Sequence, residues 1–451
     1  MMRPILFLML AAGILSAQDD PTIRLDVQQV LVPVVVADKK GHHVSGLRAT
    51  DFRILEDGVE QRIAAFSSDT AASVDDLGAL AKSSPNAPAG TKAAGPRRTF
   101  VICVDTLHTS PVNAARMRAA LESLFEKEKP SDAQYVLIGI GRQLQVLQPA
   151  TANPLEILLK IRSTAFQSMM GSLDASALAI ELGNLRTRME DFCRRCSCAA
   201  PSSRQSCDGE IDTLKQSVDA AAARWVDPTN AFLAQFANVV GELAKLPTGR
   251  TLILVSDGFT ANPVREFYRT VSAYLPNRPQ FQLQEPNGAE PGLREALKVA
   301  AERNVAIYAV DSRGGSTPTL ARTGAMDAAA GAAGNGNQTM LGTNRGNAGG
   351  SARAAAMQAD AASQPNPFAS ESNGDMEQLA GATGGVYFHG GSDLLKEFRS
   401  ALADGREYYT LAYVPKNIAP DGKFRRITVE TTDRKLTIRA KAGYWAAGPD
   451  Q

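Results

Sequence analysis

Thr99-Phe100-Val101-Ile102-Cys103-Val104-Asp105 and Thr251-Leu252-Ile253-Leu254-Val255-Ser256-Asp257 are two unbroken apolar runs, each closed by an aspartate. Both are too short for a helix and dominated by β-branched and aliphatic residues, the pattern of strands buried on both faces of a parallel sheet. A third run, Val305-Ala306-Ile307-Tyr308-Ala309-Val310, also ends in an aspartate, Asp311. Helical patterns near 292–303 and 375–382 precede Val305 and Gly385-Val386-Tyr387-Phe388 respectively. Strands alternating with helices in this way predict an α/β fold with a doubly wound, mostly parallel sheet. The ligand crevice of such a sheet lies outside the carboxyl ends of its strands, where the strand order reverses. Carboxylates placed there suggest a hard-cation site.

Working outward, the α/β region is expected to span 97–405. Its first helix carries Met117, Leu121, Leu124 and Phe125 on one stripe, and a strand pair follows at 135–140 and 144–147. Helical patterns then predominate over 154–248. Residues 312–372 are dominated by Ala, Gly, Asn and Ser and bury too little apolar surface to offset their ordering entropy, which predicts a disordered loop. Strand patterns fill 22–68, with Pro33 pointing to a sheet edge. They also fill 406–446, and neither group is large enough to bury a sheet face alone. The expectation is one β-sandwich built from both termini, with the α/β domain inserted between its halves and 69–96 as an Ala/Ser/Pro/Gly linker.

Lys plus Arg (48) nearly cancels Asp plus Glu (47), and no basic run interleaves with aromatics, which argues against a nucleic-acid partner. Residues 1–17 have the charged start and short apolar stretch of a signal peptide, and no later segment has the length of a membrane span. A secreted or periplasmic location follows. In that setting Cys193, Cys196, Cys198 and Cys207 read as two local disulfides, with zinc as the rival because the first two are spaced C-x2-C; Cys103 is expected to be free and buried. Among four histidines there is no zinc-spaced His/Glu set, and the chain has neither a G-x-S-x-G elbow nor a P-loop. The reading is therefore not an enzyme.

Asp105-Thr106-Leu107-His108-Thr109-Ser110 and Ser256-Asp257-Gly258 resemble the metal-ion-dependent adhesion site of the von Willebrand factor type A domain. That pattern is Asp-x-Ser-x-Ser after the first strand, a separate threonine, and Asp-Gly after the fourth strand. The resemblance implies Asp105, Thr109 and Asp257 as metal-site residues and magnesium or another divalent cation as the ligand. It also implies a partner protein that offers an acidic group. Leu107 stands where the family has its first serine and cannot ligate a hard cation; Thr164 and Ser172 are the nearest positions for the separate threonine. Flanking segments are similar to secreted von Willebrand factor A-related proteins of acidobacteria. They are 46–58, Asp311-Ser312-Arg313-Gly314, Ala382-Thr383-Gly384-Gly385 and Ala442-Gly443-Tyr444. The alternative function is a metal-free structural or interaction protein that makes its contacts through the sandwich or the loops.

Overall fold

The computed structural model describes residues 29–68, 98–129, 133–169, 174–196, 204–246, 249–276, 278–281, 290–314 and 367–448. The expected signal peptide (1–17), linker (69–96), most of the 312–372 loop, Ser172 and Cys198 lie outside the described residues.

Four strands come first: β1 (Val30–Ala37), β2 (Phe52–Glu56), β3 (Val59–Gln61) and β4 (Ile63–Ser68). Next come β5 (Arg98–Asp105), α1 (Pro111–Phe125), β6 (Ala133–Ile140), β7 (Leu144–Thr151), α2 (Pro154–Ile161) and α3 (Thr164–Met169). A helical layer of α4 (Asp174–Cys196) and α5 (Arg204–Ala244) leads to β8 (Gly249–Ser256), α6 (Pro263–Tyr274), α7 (Glu290–Glu302) and β9 (Val305–Asp311). Then follow α8 (Pro367–Thr383), β10 (Tyr387–Phe388), α9 (Leu394–Asp404), β11 (Tyr409–Tyr413), β12 (Phe424–Thr431), β13 (Thr437–Ala440) and β14 (Gly443–Trp445).

The central sheet has six strands in the order β10-β9-β8-β5-β6-β7. All neighbours are parallel except β6 and β7. Every residue of β5 is buried, because alternate side chains enter two different cores. Val101 and Cys103 join Leu252, Leu254 and Ile307 under α5, α7 and α8. Phe100, Ile102 and Val104 join Ile253, Val255 and Tyr308 under α1, α2 and α9. The expected stripe of α1 (Met117, Leu121, Leu124, Phe125) lies in the second core. A third core joins α4, α5 and α6.

The flanking strands form two antiparallel four-stranded sheets, β13-β1-β11-β4 and β14-β12-β2-β3. They share one core that includes Val32, Val34, Phe52, Ile54, Leu411, Tyr413 and Ile427. Strands far apart in sequence pair directly, Val32 with Leu411 and Leu55 with Thr428. Glu56 crosses between the sheets as a buried acceptor for Tyr413 Oη at 2.6 Å and Tyr444 Oη at 3.0 Å.

Two expectations need correction. Pro33 sits on an interior strand, not an edge strand; β13 pairs only Val34 to Ala37, so Pro33 lies on the part of β1 that β13 does not flank. The helix expected at 375 begins at Pro367, inside the segment expected to be loop; proline suits a first helical turn, where its missing N–H is no loss. In the cysteine cluster, Cys196 and Cys207 are bridged at 2.02 Å, Cys193 is also disulfide-bonded, and Cys103 is free and buried.

Candidate functional site

β5 and β8 are neighbours at the point where the connections turn to opposite sides of the sheet, so Asp105 and Ser256-Asp257 emerge side by side. Asp105 is fully buried. Its Oδ1 accepts the backbone N–H groups of Leu107 and His108, both at 2.9 Å, which folds the chain into a tight turn. Its Oδ2 accepts Ser256 Oγ at 2.6 Å and pairs with His108 Nδ1 at 2.8 Å. An ionised carboxylate offers about four lone-pair positions, so protein donors use them all. The loop is fastened to β6 as well, because Thr106 N and Oγ1 both donate to Ile140 O, at 2.7 and 3.0 Å.

Asp257 is half-buried. Its Oδ2 accepts Ser110 N at 2.9 Å and Asn113 Nδ2 at 2.8 Å, and its Oδ1 accepts Ser312 Oγ at 2.6 Å. Gly258 turns away with φ +93, a left-handed conformation that suits glycine, while its N–H donates to Ser256 Oγ at 3.0 Å. Leu107 points into the first core. The His108 ring lies edge-on to Phe232 at 4.9 Å. Thr109 is buried, and its hydroxyl has no hydrogen-bond partner among the described residues.

The same strand ends carry a second group of charges. Asp311 takes Arg313 N at 2.9 Å and Arg313 Nε and Nη2 at 2.8 Å each. Burial and then the charges of Asp311 and Asp393 push the Glu397 carboxyl up to about 7, and its Oε2 lacks a hydrogen-bond partner among the described residues.

Asp105, Thr109 and Asp257 lie on the adjoining loops that follow β5 and β8, with different capacities for a ligand. Asp105 is saturated and Leu107 offers no oxygen; Thr109 Oγ1 and the remaining lone pair of Asp257 Oδ1 have capacity left. Among the described residues, the one set of three His, Cys, Asp or Glu side chains close enough to share an ion is Cys196, Cys207 and Glu210, where the sulfurs are bonded to each other. Magnesium retains several waters and needs few protein oxygens, so the residues fit a cation only in this reduced form. Thr164 opens α3; it is Met169, at the other end of that helix, that packs over Gly139 beside Thr106.

Sequence reasoning missed Asn113 and Glu397 as members of this surface; it placed His108 beside the site as a loop residue, without its pairing to Asp105. Ser256 and Ser312 were visible only as neighbours of Asp257 and Asp311.

No protein-family model matches the chain, and no curated protein matches it. Among solved structures it is similar to an aerotolerance-related membrane protein from Bacteroides fragilis NCTC 9343 bearing multiple mutations to serine. That match has 8% identity, covers 68% of this chain and 98% of that one, and has a TM-score of 0.30. It is similar also to the conserved hypothetical protein BatB from Bacteroides thetaiotaomicron, at 10% identity over 68% and 98% of the two chains and a TM-score of 0.28. Likeness at that level carries no argument about function, which rests on strand order and side-chain geometry.

Proposed function

We propose that the chain is a protein-binding module acting outside the cytoplasm, with its contact surface at the open end of the sheet around Thr109, Ser110 and Asp257. The observation that carries this reading is the placement of Asp105 and Asp257 side by side at the reversal of strand order. Val112, 74% exposed in the first turn of α1, adds an apolar contact on the rim. The Cys196–Cys207 disulfide supports an oxidising compartment.

A divalent cation would be held by Asp257 and Thr109, with Asp105 fixing the loop that presents them. It would supply positive charge for an acidic group of the partner. Magnesium and manganese titration by calorimetry should give a heat for the parent protein that disappears in both Asp257→Ala and Thr109→Ala. Absence of heat in the parent would sink the cation.

Two observations favour a second, metal-free reading: the full set of protein donors on Asp105 and the burial of Leu107. On that reading the contacts come from the same loops or the sandwich, and capture of the partner survives a chelator.

A further inference from the structure

The sandwich meets the α/β body at a buried ionic cluster remote from the strand-end crevice. Asp404, the last residue of α9, is 4% exposed. Arg439 of β13 donates to it from both terminal nitrogens, at 2.5 and 2.8 Å. His43, in the turn after β1, brings Nε2 to Asp404 Oδ1 at 2.7 Å, and its Nδ1 stands 4.0 Å from Glu407 Oε2. Tyr308 of β9 faces Asp404 from the central sheet.

These groups set the charge balance of the joint. With His43 protonated, two cations face two carboxylates and both imidazole nitrogens are donors. With His43 neutral, one cation faces two carboxylates, and a ring whose proton sits on Nε2 turns a lone pair toward Glu407. Around buried Asp404 and mostly buried His43 charges are weakly screened, so the loss of the His43 charge is felt chiefly by Asp404, while exposed Glu407 is screened by water and contributes less.

We infer that the His43–Asp404–Arg439 cluster is a proton-sensitive latch, closed when His43 is charged and loosened, between sandwich and α/β body, when it is neutral. The hydrogen bond that His43 donates to Asp404 is the largest influence on the His43 pKa and raises it; burial opposes it, the charges of Asp404 and Glu407 add to the rise, Arg439 subtracts from it, and the net direction is up. Burial pushes Asp404 up, but the bonds from His43 and Arg439 prevail and hold it below the usual carboxylate range. A raised histidine contributes stability that is complete below its unfolded value of about 6.5 and is lost as pH rises through the folded value. A depressed aspartate contributes stability that is lost as pH falls through its folded value. The latch therefore holds between those two folded values.

A local readout is required, because Lys441 lies in the same joint. Its Nζ donates to Ala301 O at 3.0 Å and Asn304 Oδ1 at 2.7 Å, and burial brings its pKa down to about 7, which gives global stability an opposing slope. The chain has four histidines, so the His43 ring signal can be followed in histidine-labelled protein from about pH 5 to about pH 9. Hydrogen exchange is read in parallel on the peptides covering 38–48 and 433–442, corrected for the intrinsic pH dependence of exchange.

The expected result is a His43 midpoint above about 6.5 and a loss of protection in both peptides centred on that midpoint. The loss should be on the order of tenfold for each pH step by which the midpoint exceeds the ordinary histidine value. In His43→Gln, protection should stay at the alkaline level at every pH. Titration of His43 at or below its ordinary value, or an unchanged pH response in His43→Gln, would overturn the latch. Should that variant fail to fold, the parent alone decides: an exchange midpoint displaced from the ring midpoint refutes the proposal.

Discussion

Asp105 has no exposure, and removing an ionised carboxylate from water costs several kcal/mol unless donors replace its hydration. Here the donors are Leu107 N, His108 N, His108 Nδ1 and Ser256 Oγ, so the residue acts as a knot between the β5 and β8 loops. Asp105→Ala strands those donors and should cost about 3–5 kcal/mol in urea unfolding. Asp105→Asn keeps an acceptor for the two backbone groups and should cost about 1–3 kcal/mol. Asp257→Ala, at a half-buried position, should cost about 1–2 kcal/mol. Equal losses in all three would mean that Asp105 has no special structural role. Asp105 and Asp257 were legible in the sequence because each closes an apolar run. The donors were not, since Asn113 reaches Asp257 across 144 positions and the role of His108 depends on how its ring turns.

Elements were legible where hydrophobicity is continuous or strictly periodic. β5, β8, β9 and α1 qualify because their apolar faces are set by burial in one or two cores. Shorter or mixed segments were not: β14 has three residues and its place comes from pairing with β12, and the start of α8 carries no apolar stripe to mark it. In the helical layer, Pro228 suggests an end, yet α5 runs on from Arg204 to Ala244 because flanking residues are packed into separate cores. The Cys196–Cys207 bridge ties the end of α4 to the start of α5 across a separation of 11 residues. Replacing both cysteines by serine should lower stability by about 2–3 kcal/mol through the unfolded chain's regained freedom. Hydrogen exchange should show that loss first at the tip of α4 and α5. A parent-like melting curve would show that the Leu185, Met189, Phe192 and Ile211 packing fixes the two helices without help.

At the scale of the whole molecule, the sandwich was legible as an insufficiency, since neither flanking strand group could bury a sheet face alone. The latch was not legible, because nothing in the spacing of His43, Asp404 and Arg439 announces their meeting. Closing the sandwich brings Tyr444 to Glu56 across 388 positions. That closure has a consequence for synthesis. A ribosome adding ~5–20 residues per second makes β1 roughly 20–80 s before its partner β11 exists. Throughout that interval Val30, Val32, Val34 and Val36 have no finished core to enter, and the central α/β sheet is itself completed only shortly before β11, when β10 and α9 are made. Chains ending at residue 405 and freed from the ribosome should therefore show a protease-resistant α/β body with cleavable β1 to β4, and chains running past 446 should lose those cleavages. Until release, the valine row of β1 is an adhesive edge that a holding chaperone or delayed folding must keep from pairing with the nascent chain next to it.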